Sequence, residues 1–414
     1  MKKSIAADFL LRMSALGGKF FLIFVMMKDL TPSEVGFYGI YSSTIMICLY
    51  FAGMDFYTYS TRELLTRSHD EFWYIIYNQS LFFILTYVVI LFFWSAVLKF
   101  SGINNYVFLG YLILIVEHVS QEIYRVLIVI KKTTLANTIL FIRTGLWCYI
   151  CGVFIFYSDW NIGSVLITWF FSSFLSGILG MIALLKIYPV KLDKIKLNVA
   201  WIFNGLKICF LFFIGTLFLR GINYFDKIFA QQVASLRDIG IYVFYFGMAG
   251  AIQSAIDVLV TTRYYPDMVG NLQNKKTEEA YSVFKKFKKV NFISSFLLSF
   301  LSIPICYLFI SIIGKIDYLD AFLWYVLIVF GNFMMVLSMP YHYFLYGFNK
   351  DKTIFAINTM SFVLFSITAW VCNLKYPDFG VYNVLFSYCL YAAFSLIAKI
   401  SILKIALSRI YSFQ

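Results

Sequence analysis

Residues 5–27 read IAADFLLRMSALGGKFFLIFVMM, an apolar run long enough to cross a bilayer as one helix. Arg12 and Lys19 lie inside this run. A cation at that depth costs about 2.5–3.5 kcal/mol on membrane-insertion scales, so a run that carries two of them is unlike a passive anchor. Other apolar runs hold Arg143, Lys207 and Arg220. These cations predict a membrane transporter with a positively charged interior path for an anionic substrate.

The composition places the whole chain in a membrane. Of its 414 residues, 61% are hydrophobic and 13% are charged, and the mean hydropathy is +0.81. A soluble domain is about 45–50% apolar and about 25% charged, so a soluble core would not bury this much apolar surface. The net charge of +13 would suggest a nucleic-acid partner in a soluble protein. Here membrane topology explains the charge better, and no nucleic-acid partner is expected.

Twelve runs are long and apolar enough to be transmembrane helices. Helices are favoured over strands because a helix satisfies its own backbone hydrogen bonds in lipid, and because the runs lack alternation. The predicted fold is therefore an all-α integral membrane protein. The predicted spans are 5–27, 36–55, 72–98, 103–130, 137–157, 161–186, 204–230, 239–260, 290–313, 321–346, 353–373 and 380–404.

Lysine and arginine are distributed unevenly over the connections between these spans. Cytoplasmic connections of membrane proteins carry an excess of both residues, which places the two termini inside. With Lys2 and Lys3 inside, the inner connections carry Arg62, Arg67, Lys131, Lys132, Lys186, Lys191, Lys194, Lys196, Arg263, Lys275, Lys276, Lys285, Lys286, Lys288, Lys289, Lys350, Lys352, Lys404 and Arg409. The outer connections carry Lys28, Lys99, Lys227, Arg237, Lys315 and Lys375. The longest inner connections are 187–203 and 264–289, and the second predicts an amphipathic helix at the lipid surface.

A short motif occurs twice, half a chain apart. Residues 31–38 read TPSEVGFY and residues 235–242 read SLRDIGIY, an offset of 235 − 31 = 204 residues. Each motif links the first two spans of a six-span half. The repeat therefore predicts two six-helix bundles, 1–198 and 199–414, related by pseudo-two-fold symmetry. Parallel repeats of this kind are typical of secondary transporters, whereas the alternative is that an acid followed by glycine simply suits a tight helical hairpin.

The buried cations are candidate substrate-binding residues. Arg12 and Lys19 are seven residues apart and so share one helix face. Arginine suits phosphate because its planar fork donates two parallel hydrogen bonds. The alternative for both is a salt bridge, with Asp8 or with an acid on a neighbouring span. The alternative for Lys207 is that its long side chain reaches the inner surface.

Carboxylates within the spans are candidates for ion coupling or gating. Glu117, Gln121 and Arg125 share one face of the span 103–130 at intervals of four residues, and His118 and Glu122 form an adjacent pair. A carboxylate in a membrane can bind a proton or a sodium ion. The alternative for Glu122 with Arg125 is a gate or helix-end ion pair.

Other acids within or beside the spans have a weaker case. Asp257, close to the inner end of the span 239–260, and Asp226, near the outer end of the span 204–230, are lesser candidates for coupling or gating. Asp55 and Arg62 flank the inner end of the second span, where a helix-end ion pair is the simplest interpretation.

Four stretches of the N-terminal half stand out, and they are KF at 19–20, LTPSEVGFY at 30–38, GMDFYTYSTRE at 53–63 and EHVSQEIYR at 117–125. Together they resemble the O-antigen and polysaccharide flippases (Wzx type) of the MATE-like MOP exporter superfamily. The resemblance covers the N-terminal half by motif, and the whole chain by length, number of spans and orientation.

This resemblance implies a V-shaped pair of six-helix bundles in a bacterial inner membrane, with both termini cytoplasmic. By alternating access they would move an undecaprenyl diphosphate-linked oligosaccharide from the cytoplasmic to the periplasmic leaflet, for lipopolysaccharide or other surface polysaccharide biosynthesis. The implied protein is a transporter and not an enzyme, with no cofactor and with H⁺ or Na⁺ as the candidate coupling ion. Its implied partners are the lipid-linked glycan, membrane lipids and polysaccharide assembly proteins.

Two other functions are compatible with the sequence. A multidrug exporter of the same fold is the nearest alternative, but exporters of cationic drugs favour acids in the cavity. A membrane-embedded glycan polymerase would need a large outer loop, and none of the outer connections is long.

Overall fold

The computed structural model describes residues 2–157, 160–190 and 195–411, leaving out the side chains of 2–6, 406 and 408–411. Lys191 and Lys194 of the predicted inner connection, and the side chains of Lys2, Lys3 and Arg409, therefore lie outside the described residues. The described residues form helices joined by short turns and contain no strands. The predicted all-α class is confirmed, and in a membrane protein it follows from the need to satisfy every backbone polar group internally.

The helices follow one another with short connections. The first half holds α1 (Lys2–Asp29), α2 (Pro32–Gly53), α3 (Tyr57–Thr66), α4 (Phe72–Phe100), α5 (Val107–Val129), α6 (Thr133–Phe141), α7 (Trp147–Tyr157) and α8 (Ile162–Ile187). The second half holds α9 (Val199–Gln231), α10 (Leu236–Ile256), α11 (Thr262–Gln273), α12 (Thr277–Ile313), α13 (Ile316–Asp320), α14 (Phe322–Gly347), α15 (Asp351–Lys375) and α16 (Val381–Tyr411). A π-helical turn joins α6 to α7 at Ile142–Leu146, and another joins α10 to α11 at Asp257–Thr261.

Every predicted span coincides with one of these helices. Eleven helical stretches of the described chain are long and apolar enough to cross a membrane. The other predicted span, 103–130, is α5, a helix of 23 residues that carries Glu117, Glu122 and Arg125 among apolar residues. The chain is a multi-pass membrane protein.

The predicted inner connection 264–289 is helical over most of its length. It forms the end of α11 and the start of α12, with only three residues between them. Met268, Phe284 and Phe287 are buried in one apolar cluster, which also includes residues of α14 and α16. The lysines of α12 are exposed on its other side, and they are Lys285, Lys286, Lys288 and Lys289. The segment thus extends two helices of a packed bundle and is no separate long connection.

The chain divides into two compact units, 1–220 and 221–414. The division falls inside α9, whereas the boundary predicted from the sequence lies in the connection before it. The start of α9 packs in the first unit, where Cys209 Sγ is 3.2 Å from Thr58 Oγ1. Its end packs in the second unit, where the rings of Phe225 and Phe362 are 5.5 Å apart.

The repeated motif forms the same local structure in both units. Thr31 caps α2 and Ser235 caps α10, and each is part of a reciprocal capping box with the acid three residues later. The correspondence extends beyond the motif, because Tyr41 and Tyr245 are also 204 residues apart. Both are buried, and each donates its hydroxyl hydrogen to a backbone carbonyl, Tyr106 O at 2.8 Å for Tyr41 and Tyr318 O for Tyr245. A chance five-residue match does not explain shared caps and shared tyrosine hydrogen bonds.

We expect Thr31→Ala to lower the unfolding temperature of the full chain in detergent. The variant removes the acceptor for the Glu34 N–H and opens the capping box, a change that costs about 1 kcal/mol in a typical helix. Ser235→Ala should act in the same direction in the second unit. Ser33→Ala, in the same first turn, leaves the box intact and serves as the control. Equal unfolding temperatures for Thr31→Ala and Ser33→Ala would contradict the role assigned to the cap.

Candidate anion-binding cavity

The first unit contains a cavity of about 90 Å³. A water molecule takes up about 30 Å³ of liquid, so the cavity holds about three waters or one group of phosphate size. Its polar lining combines cations with carboxylates, an amide and two hydroxyl groups, and consists of Lys19, Tyr50, Asp55, Glu117, Gln121, Arg125, Arg143 and Thr144. Two of the five cations singled out from the sequence therefore line one cavity, together with acids that the sequence assigned to coupling or to a helix end.

Two helices that approach backbone to backbone form one wall. A Cβ atom at Gly18 of α1 would meet the carbonyl oxygen of Gly145 at 2.6 Å, and one at Gly145 would meet Cα of Ala15 at 2.6 Å. Small residues allow such an approach between membrane helices. Lys19 follows Gly18, and Arg143 lies two residues before Gly145, so this contact brings both cations to the same wall.

Arg143 is buried but is not saturated with hydrogen bonds. Its side chain is 8% exposed and lies on the π-helical turn between α6 and α7. Within the described part of the chain, its Nε and Nη1 have no hydrogen-bond partner. The nearest carboxylate oxygen is Glu117 Oε1, 3.6 Å from Nη1, which is an ion-pair distance and not a hydrogen bond. Buried donors of this kind are costly unless a ligand or water completes them.

Glu117 is held in place by neutral donors of α8. Ser173 Oγ donates to Glu117 Oε2 at 2.6 Å, and Trp169 Nε1 donates to the same oxygen at 3.2 Å. Because these donors engage Oε2, the carboxylate does not depend on Arg143 for its position. The guanidinium remains available to a ligand that enters the cavity.

A second ion pair lies further along α5. Arg125 donates to Glu122 Oε1, and Gln79 Nε2 donates to Glu122 Oε2 at 2.9 Å. The Arg125 guanidinium also lies 3.8 Å from the centre of the Tyr57 ring. These contacts restrain Arg125, so it is less available to a ligand than Arg143 or Lys19.

His118 adjoins this ion pair. Tyr87 Oη and His118 Nδ1 are 2.6 Å apart, and His118 Nε2 lies 3.8 Å from Glu122 Oε1 without a hydrogen bond. Gly53 packs directly on the ring, since a Cβ there would meet Nε2 at 2.8 Å. The His118 imidazole is therefore fixed in place beside the buried Glu122 carboxylate, and both pack next to residues that line the cavity.

Other residues selected from the sequence lie elsewhere. Arg12 is exposed and donates from Nε to Asn137 Oδ1 at 2.9 Å, although it shares α1 with Lys19. Lys207 and Arg220 are exposed on α9. Asp257 lies in the second unit on the π-helical turn before α11, where Thr261 Oγ1 donates to Oδ1 at 3.2 Å.

The ion pair suggested for Asp55 and Arg62 does not form among the described residues. Asp55 is 8% exposed and lines the cavity, whereas Arg62 is exposed on α3. The chain reverses its course after α2 through two left-handed residues, Met54 and Asp55, and this turn directs the acid inward.

The second unit contains buried cations that the sequence did not predict as such. Lys399 is 3% exposed on α16, where Nζ donates to Ser338 Oγ at 3.2 Å. Lys227 was interpreted as an outer topological charge, but it is 7% exposed and its Nζ is 3.1 Å from Asp226 Oδ1. The available signal was the same that identified Arg143, a cation inside an apolar run. That signal does not tell in which direction the side chain points.

We expect Gly53→Ala to destabilise the protein. The added Cβ would press on a His118 ring that is 1% exposed and restrained by Tyr87, and overpacking of this kind costs about 1–3 kcal/mol. Gly177→Ala on α8 is the matched control, because a Cβ there meets nothing within 4 Å and alanine favours a helix by about 0.5–1 kcal/mol. Thermal unfolding in detergent measures both variants. An unfolding temperature for Gly53→Ala at or above that of Gly177→Ala would show that the contact is not tight.

Comparison with solved structures identifies the fold. The lipid II flippase MurJ, in an inward closed conformation, superposes with a TM-score of 0.73 at 16% identity, over 98% of this chain and 88% of that one. A multidrug resistance MATE family transporter of the MOP superfamily, in an inward-facing conformation, gives 0.70 at 12% identity, over 96% and 95%. The chain has the MATE and MurJ transporter fold.

A third structure with this fold was solved in complex with a ligand. This MATE multidrug transporter, DinF-BH, superposes with a TM-score of 0.62 at 15% identity, over 96% of this chain and 95% of that one. No protein-family model matches the sequence, and no curated protein matches it. The MATE-like fold predicted from the sequence is confirmed, while at such low identity the similarity concerns the fold alone.

Proposed function

We propose that the protein is a flippase for a lipid-linked oligosaccharide with a diphosphate headgroup. It would move the lipid from the cytoplasmic to the periplasmic leaflet of a bacterial inner membrane by alternating access of the bundles 1–198 and 199–414, with both termini cytoplasmic. The observation that carries the proposal is the buried Arg143 guanidinium, whose Nε and Nη1 lack partners in a cavity that also exposes Lys19. An arginine with unpaired donors beside a cavity suits the oxygens of a phosphate.

Two cations of the cavity support an anion. Arg125 is neutralised by Glu122, whereas Lys19 and Arg143 are not hydrogen-bonded to a carboxylate among the described residues. Lys19 forms no ion pair among the described residues, and Glu117 approaches Arg143 only to 3.6 Å. Lys19 is exposed and Arg143 is buried, and both can interact favourably with a ligand that brings negative charge. A cationic drug would be repelled by both side chains, which argues against the multidrug alternative.

The size of the cavity limits which part of a ligand it can hold. About 90 Å³ accommodates one phosphoryl group but not a whole sugar diphosphate. The cavity would therefore hold the charged end of the lipid while the glycan lies outside it. Desolvated phosphate oxygens need this contact more than the sugars do, because the charge carries the larger cost of crossing hydrocarbon.

The carboxylates of the cavity are the candidates for coupling. Glu117 lies within ion-pair distance of Arg143, so a proton or sodium ion at Glu117 would change the field that a bound phosphate experiences. No further cofactor is needed in this scheme. Membrane lipids and polysaccharide assembly proteins are the proposed surroundings of the working transporter.

We expect Arg143→Gln to reduce binding of undecaprenyl diphosphate by about 10- to 100-fold. The variant removes hydrogen bonds to a charged group, each worth about 1.5–3 kcal/mol. The measurement is equilibrium binding to the full chain in nanodiscs. Lys19→Gln should also weaken binding, and surface glycan should be lost when either variant replaces the native gene.

Arg263→Gln is the matched control, because Arg263 is an exposed arginine at the start of α11, in the second unit. Binding by Arg143→Gln equal to that of Arg263→Gln would remove the cavity from the substrate path. Normal surface glycan in a deletion strain would exclude the flippase function itself.

We expect Glu117→Gln to impair coupling more than binding. The amide keeps the shape of the side chain but cannot take up a proton, and it lacks the negative charge that would hold a sodium ion. The measurement is lipid translocation in proteoliposomes with and without an imposed H⁺ or Na⁺ gradient, beside equilibrium binding. Translocation by the variant that still accelerates with the gradient would exclude Glu117 as the coupling residue.

A further inference from the structure

A carboxylate without a partner faces the cavity beside the cations. Asp55 is 8% exposed and lines the cavity, and its carboxylate forms no hydrogen bond or ion pair among the described residues. Burying an ionised carboxylate without a partner is costly, so its retention requires an explanation. A structural ion pair would have supplied one, but the nearby Arg62 is exposed and Arg125 is bound to Glu122.

The backbone at Asp55 is also held in an uncommon conformation. Met54 has φ 44° and Asp55 has φ 51°, so two consecutive residues that are not glycine adopt the left-handed region. Glycine is the usual residue at such a position, but here the glycine, Gly53, is the last residue of α2, where a Cβ would meet His118 Nε2 at 2.8 Å. Strain of this kind costs of order 1–3 kcal/mol per residue and is concentrated at functional sites.

Two uncharged hydrogen-bonding side chains of α2 and α5 also line the cavity. They are Tyr50 of α2 and Gln121 of α5. A carboxylate, an amide and a phenol together accept from and donate to hydroxyl and amide groups, and an aromatic ring offers a face to a sugar. Lys19 and Arg143 come from α1 and the π-helical turn, whereas Asp55 comes from the turn after α2, so the lining brings cations and a carboxylate together from different parts of the unit.

We propose that Asp55 accepts hydrogen bonds from the sugar joined directly to the phosphate, and thereby makes the cavity selective for glycosyl phosphates over bare phosphates. This inference rests on the proposed function and specifies its ligand. The phosphate would engage Lys19 and Arg143. A donor group of the first sugar, a hydroxyl or an acylamino N–H, would satisfy the Asp55 carboxylate at the mouth of a cavity too small for the whole sugar.

The test compares ligands with and without the sugar on variants with and without the carboxylate. The probes are undecaprenyl diphosphate, undecaprenyl diphosphate N-acetylglucosamine, and free N-acetylglucosamine 1-phosphate. The variants are Asp55→Asn and Asp55→Gly, because asparagine and glycine both tolerate the left-handed conformation that alanine would strain. Asp351→Asn, which alters an exposed acid at the start of α15, is the matched control.

We expect Asp55→Asn and Asp55→Gly to weaken binding of the sugar-bearing lipid by about 10-fold or more, the usual effect of losing a hydrogen bond to a charged group. Their affinity for undecaprenyl diphosphate should stay within about two-fold of that of Asp351→Asn. The same Asp55 dependence with the free sugar phosphate would identify a soluble glycosyl phosphate as a second source of the ligand. Unfolding temperatures close to the native one confirm that the variants fold.

An equal loss for both lipids, or no loss for either, overturns the assignment of Asp55. Failure of the Asp55 assignment can be distinguished from failure of the proposed flippase function. If Arg143→Gln weakens the binding of both lipids, while the Asp55 variants do not distinguish the lipid with the sugar from the lipid without it, the phosphate site stands and only the sugar contact is wrong. If Arg143→Gln affects neither lipid, the flippase proposal fails first.

Discussion

The burial of a guanidinium in a membrane bundle is the constraint on which the first unit depends. Arg143 is enclosed with two N–H-bearing atoms unpaired, and the nearest carboxylate stays at ion-pair distance. Such a group is expensive in hydrocarbon, and the protein offsets part of the cost by placing it beside a polar cavity. The π-helical turn at Ile142–Leu146 adds one residue to a helical turn and re-aims the side chains that follow it. Its role here is to present Arg143 to the cavity while α6 and α7 continue as one span.

The packing around that residue explains why the glycines matter. Gly18 and Gly145 let α1 contact the helix that carries Arg143, while Gly53 lets α2 contact the His118 ring on α5. Without a hydrophobic force between helices in lipid, such close contacts and a few hydrogen bonds hold the bundle together. The polar network of Glu117, Glu122 and their donors therefore has two roles. It stabilises the helix pairs, and it fixes the charges that surround the cavity.

The two units resemble each other in sequence and local structure but differ in chemistry. Both begin their second long helix with a capping box and both hold a buried tyrosine at the same offset. At the end of that helix the first unit breaks at Met54 and Asp55, whereas the second continues through a π-helical turn into α11. The break directs an acid into the cavity of the first unit. The second unit buries Lys399 and the pair of Asp226 and Lys227 instead.

Apolar runs, their lengths and the distribution of lysine and arginine determine much of this protein before any coordinates are considered. The helical class, the position of each long helix and the repeat follow from the cost of unpaired backbone groups in lipid and from local capping chemistry.

The residues that line the candidate cavity could not be predicted in the same way. Spacing along one helix predicted that Arg12 and Lys19 act together, yet Arg12 donates a hydrogen bond to Asn137. Lys19 instead lines the cavity with Arg143, which is more than a hundred residues later in the chain. Asp55 is a second example. Its closeness to Arg62 in the sequence predicted an ion pair between them, whereas in the structure the acid faces the cavity. Which cations face a ligand depends on how helices approach one another, and that depends on contacts distant in sequence, such as Gly18 against Gly145. Sequence periodicity describes one helix at a time, so only the tertiary structure decides which faces meet.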